Sequence, residues 1–101
     1  MSIELFELKG SRAGKFLFYA DSKRYEDLVD VFELYRSKTG IFIDKYRDTK
    51  LSSGLSVLIE CVQEVMASSS SSSSSSKVRE EFLAVLVTAD AEGKNVIFLG
   101  E

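Results

Sequence analysis

The run EFLAVLVTA, at positions 81–89, carries the strongest strand signal in the chain. Phe82, Ala84, Leu86 and Thr88 alternate to one side, and Leu83, Val85 and Val87 to the other. A strand that is apolar on both faces belongs inside a sheet rather than at its edge. DAEGKN follows, with Gly93 and Asn95 as turn residues, and VIFL at 96–99 returns as a final strand. A C-terminal hairpin with a central first strand is the expectation.

Upstream of that hairpin stand nine consecutive serines, positions 68–76. Serine has poor helix and strand propensity and offers no apolar surface to bury. Nine residues reach ~30 Å at about 3.3 Å each. The run therefore reads as a Ser-rich connection, and the strands after it must find their place on what precedes it.

Ahead of the serines, IELFEL at 3–8 and KFLFYA at 15–20 read as two strands joined by a turn rich in glycine. Asp21 and Ser22 supply an N-cap signal. Tyr25, Leu28, Val29, Phe32 and Tyr35 then share one helical face, and Gly40 is a natural stop, so a helix is predicted over 22–38. IFID at 41–44 reads as a short strand. Leu55, Leu58, Ile59, Val62, Val65 and Met66 recur at helical spacing and predict a second helix over 53–66. The expected fold is α+β, in the order ββαβαββ, with about five antiparallel strands and two helices on one face. Residues 1–101 form a single domain in this reading, with 68–76 joining helix two to the hairpin.

The chain has 101 residues, 13 Lys and Arg against 16 Asp and Glu, and a net charge of −3. That balance argues against nucleic-acid binding through bulk charge. It suits a protein that meets a basic partner. There is no histidine, so the commonest general base and zinc ligand are missing. One cysteine excludes an internal disulfide and fits a reducing compartment. No basic segment followed by an apolar run opens the chain, and no apolar window is long enough to span a membrane. A cytoplasmic protein without a cofactor or metal is expected.

The most prominent charged feature is the first helix. Glu26, Asp30 and Glu33 recur at i, i+4 and i+7, with Asp27 beside them. They lie away from the apolar face. Such a carboxylate face steers and holds a basic protein, raising the association rate more than the affinity. Its blander reading is the solvated side of an amphipathic helix. A second polar stretch holds Asp44, Tyr46 and Asp48. Lys45, Arg47 and Lys50 interleave with its acids, which opposes metal binding. The same basic window with Tyr46 offers phosphate contact and base stacking, but its neighbouring acids cancel most of the charge. Tyr19 and Tyr25 are further interface candidates. Cys61 borders the apolar face of the second helix with Glu60 and Glu64 nearby, so its thiol reads as core material. GSRAG at 10–14 lacks the phosphate-loop pattern.

Small, acidic and without a recognisable catalytic constellation, the chain resembles bacterial toxin-immunity proteins, such as those paired with contact-dependent growth inhibition toxins. The resemblance lies in overall character and carries no motif or residue role with it. It implies a protein that neutralises a basic toxin, often a nuclease, by covering its active surface. The expected contact residues are then Glu26, Asp27, Asp30 and Glu33, with Asp44, Tyr46 and Asp48 second. Another reading is an adaptor or regulatory module that self-associates through a sheet edge. The ββαβ opening is also compatible with ubiquitin-like grasp folds. An enzyme using only Asp, Glu, Lys, Tyr or Ser has no motif behind it.

Overall fold

A computed structural model of the chain describes residues 2–44, 46–51, 55–68 and 73–100. The elements are β1 (Ser2–Lys9), β2 (Arg12–Asp21), α1 (Ser22–Thr39), β3 (Thr49–Leu51), α2 (Leu55–Ser68), α3 (Ser73–Ala91) and β4 (Asn95–Gly100). The fold is α+β. Its sheet is antiparallel throughout, with four strands in the order β2-β1-β4-β3 among the described residues.

Residues 81–89 are therefore helical, not the central strand that their alternation suggests. Val78, Phe82, Leu86 and Ala89 are buried, at the spacing of one helical face. A short run that is apolar on all sides satisfies both periods, and only its surroundings choose between them. Here β1 and β4 already fill the middle of the sheet, and the run instead covers them. The helix starts within the serine tract, at Ser73, and stops in a Schellman motif. Gly93 takes φ 68°, its N–H donates to the Asp90 carbonyl, and the Lys94 N–H donates to the Ala89 carbonyl. Among the described residues the expected order ββαβαββ becomes ββαβααβ, with three helices and no C-terminal hairpin. Of the serine tract, positions 69–72 lie outside the described residues.

The elements β1, β2, α1, α2 and β4 follow their local signals closely. Asp21 caps α1, its Oδ1 accepting the Arg24 N–H at 2.9 Å. Gly40 ends the helix at φ 80°, donating to the Arg36 carbonyl at 2.7 Å. No atom lies within 4 Å of a Cβ placed at Gly40, so a side chain meets only backbone strain there. Gly40→Ala is expected to cost about 1 kcal/mol in urea denaturation, with Gly40→Asn less harmful. The strand expected at 41–44 does not form. The Tyr25 hydroxyl takes the Ile43 carbonyl at 2.8 Å, and the Asp44 side chain turns the chain by accepting the Tyr46 N–H at 2.9 Å. The strand that pairs with the outer side of β4 is instead β3, further along, which no local signal had marked.

Ile3, Leu5, Phe18, Ala20, Leu51, Val96 and Phe98 project from one side of the sheet into a core shared with all three helices. Phe32 of α1 stands at its centre, its ring 5.4 Å from Tyr25, 5.8 Å from Phe82 and 6.2 Å from Phe98. Phe82 in turn meets Phe18 at 5.3 Å.

Glu7 points to the same side and is nearly buried, accepting from Lys94 Nζ at 2.9 Å. That hydrogen bond holds the Glu7 carboxyl below its ordinary value of 4.5, against the opposing effect of burial. It also lifts Lys94 above 10.5. Glu7's contribution to stability is complete above its unfolded-state value and is lost as pH falls through the folded one; that of Lys94 is lost as pH rises through its own. Lys94→Met is expected to flatten the acid-side decline of Tm below about pH 4.5, as followed by circular dichroism.

Candidate functional site

The carboxylates of α1 divide into two groups. At about 100° per residue, Glu33 and Glu26 lie about 80° and 100° around the helix axis from Tyr25, and Asp30 about 140°. Glu26, Asp30 and Glu33 are all exposed, while Asp27 is half-buried. On the far side of this face stands Arg79 of α3. Its side chain is only 6% exposed. Its Nε donates to the Asp27 carbonyl at 3.0 Å, and its Nη2 lies 3.7 Å from Asp30 Oδ2. A guanidinium so far out of water needs such partners. Asp30 thus helps to join α1 to α3, beside its place on the acidic face. Arg24 and Glu81 approach at 3.6 Å along the same junction.

The other flank of α1 carries residues 40–43. Leaving Gly40, the chain doubles back along the helix. The Arg36 guanidinium lies over the Phe42 ring at 5.5 Å. Ile43 is fully buried, and its carbonyl is held by Tyr25 near the opposite end of the helix. Tyr25 and Arg36 lie within about 20° of each other around the axis, so the segment follows one line along α1. Glu26 and Glu33 border that line.

Anchored at Ile43, the segment leaves its neighbours outside. Ile41, Phe42 and Tyr46 are 39%, 36% and 57% exposed. Asp48 is exposed and Asp44 half-buried. The structure thus lays residues 40–43 beside the outer face of α1 that carries Glu26 and Glu33, and Asp44, Tyr46 and Asp48 follow in the chain. It adds Ile41 and Phe42, which the strand reading of IFID had hidden. No local signal marked them: their exposure follows from the Tyr25 hydroxyl holding the Ile43 carbonyl, which turns the segment along α1. Lys45, from the basic window, lies outside the described residues.

The remaining candidates offer less. Cys61 is fully buried, and burial pushes its thiol above the ordinary value, with Lys38 pulling down and Glu64 and Glu60 adding to the rise. Such a thiol is a poor nucleophile. Tyr25 serves the core and residue 43 rather than an interface. A groove of about 350 Å³ opens between β2 and α3, with Leu17, Ala84 and Val85 among its walls. The Glu7–Lys94 pair closes one part of it. Among the described residues no group of acids or thiols is placed to hold a metal ion, and no helix is long and apolar enough to cross a membrane.

No protein-family model matches this chain, and no match is found among curated proteins or solved structures.

Proposed function

We propose that this chain is a small acidic inhibitor of the toxin-immunity kind. It acts in the cytoplasm by covering the active surface of a basic toxin domain. What supports this reading is the course of residues 40–43 along α1, which puts exposed Ile41 and Phe42 on the flank next to Glu26 and Glu33, with exposed Tyr46 a few positions on. The chemistry matches the division of labour in protein interfaces. Aromatic side chains anchor a dry centre, and charges at the rim draw the partner in.

In this reading Tyr46 and Phe42 are the anchors, and Glu26, Glu33 and Asp48 face cationic residues of the toxin. Asp44 holds the turn that presents Tyr46. Asp27 and Asp30 contribute field more than contact, because Arg79 already engages that side of α1.

The test pairs the purified chain with the basic toxin domain encoded beside it. The expected result is a one-to-one complex that weakens with salt, together with rescue of growth in cells making the toxin. Tyr46→Ala is then expected to speed dissociation. A toxin that remains fully active in the presence of excess chain would overturn the proposal.

A further inference from the structure

The sheet has a second face, and it is apolar. Glu4 pairs across the strands with Tyr19 and Leu99, Phe6 with Phe16 and Ile97, and Leu8 with Ala13 and Asn95. These residues alternate with the inward-facing ones and stand on the opposite side of the sheet. Ile97 is buried yet stands outside the core cluster, so neighbours on its own face shield it. Phe16 and Tyr19 are 46% and 43% exposed, and the Phe16 ring rests edge-on against Phe6 at 5.6 Å. Phe6, Leu8, Phe16, Tyr19, Ile97 and Leu99 thus form one apolar surface on the side away from the helices, with Phe16 at its margin beside the groove between β2 and α3.

Its charges say what covers it. In those three rows the charged residues are Glu4 on β1 and Lys50 on β3, the latter opposite Ile97. Asp21 ends the next row but is engaged as the cap of α1; within the three apolar rows one acid and one base cancel, a pattern unsuited to a strongly basic partner but complementary to itself. Glu4 and Lys50 lie two strands and one row apart, about 12 Å by standard sheet spacings. The midpoint between them falls on β4, between Leu99 and Ile97. A two-fold axis through that point sets Glu4 of each copy against Lys50 of the other, twice, and centres the apolar residues on the axis. That is the geometry of an isologous contact.

We infer that the chain forms a homodimer by packing this open sheet face against the same face of a second copy. The β2 edge is a poorer route. Its ladder slips one register at Leu5/Phe6 and again between Phe6 and Leu8, and Arg12 and Lys15 stand along it. Bulges and cations of this kind block edge-to-edge pairing. The face lies across the sheet from α1, so the dimer leaves the carboxylates of α1 uncovered.

Sedimentation velocity across a concentration series tests this. The expected result is a monomer–dimer equilibrium that persists in high salt, since apolar contact carries it. Phe16→Glu is expected to weaken the dimer at least about 30-fold, the scale of an interface anchor. Glu4→Lys weakens it less, and Glu4→Lys with Lys50→Glu restores it, which no merely structural effect would do. Tyr19→Lys makes the same test as Phe16→Glu if the latter fails to fold. A chain monomeric at every concentration, or a dimer indifferent to these substitutions, overturns the inference.

Discussion

Replacing Glu26 and Glu33 together with lysine is expected to slow association with a basic toxin domain by about tenfold or more at low ionic strength, with the dissociation rate little changed. Both residues are exposed on the middle of the outer face of α1, so the fold tolerates the change. The difference from wild type should shrink as salt is added, because exposed charges are screened over about 10 Å at 0.1 M. Stopped-flow fluorescence at two ionic strengths reads both effects. Asp30 is deliberately spared. Reversing it would set an ammonium beside the nearly buried Arg79, 3.7 Å away, and a slower association would then report partial unfolding. An association rate unmoved by the double substitution would remove α1 from the contact surface.

Phe82→Ala is expected to destabilise the protein by about 3–5 kcal/mol, the usual cost of emptying a fully buried aromatic site. Phe82 has no exposed surface and touches the rings of Phe18, Phe32 and Phe98. It joins α3 to α1 and to the sheet at a single point. The small Ala side chain leaves a gap lined by three rings, which cannot all move inward. A domain of this size has roughly 5–15 kcal/mol of stability in all, so this one change takes a large share. Urea denaturation followed by tyrosine fluorescence gives the value. A loss under about 1 kcal/mol would mean that α3 does not pack its 78-82-86-89 face onto the sheet, as the known cost of such cavities requires.

The contrast between α1 and α3 shows which local signals suffice. In α1, Asp21, Gly40 and the spacing of Tyr25, Leu28, Phe32 and Tyr35 agree, and the helix falls where they place it. β1, β2, α2 and β4 are likewise near their expected positions. In α3 no cap or glycine interrupts residues 77–91, and the apolar residues lie on every side. With no cap before it and only Gly93 after it, which suits a turn as well as a helix end, periodicity had two readings. The site divides in the same way. The exposed carboxylates of α1 were readable from helical spacing. Phe42 and Ile41 were not, because their exposure follows from a contact eighteen positions away, between Tyr25 and the Ile43 carbonyl.

Composition and spacing were enough to establish an acidic α+β chain, the solvent face of α1 and the absence of imidazole chemistry, since these depend on residue identity and on contacts within a few positions. The helical state of 81–89, the turning of 41–44 away from the sheet and the employment of Asp30 by Arg79 came from long-range packing. A segment whose local preferences are balanced takes the conformation that its distant neighbours leave room for. Here the pairing of β1 with β4, the two ends of the chain, left that segment a place above the sheet and none within it.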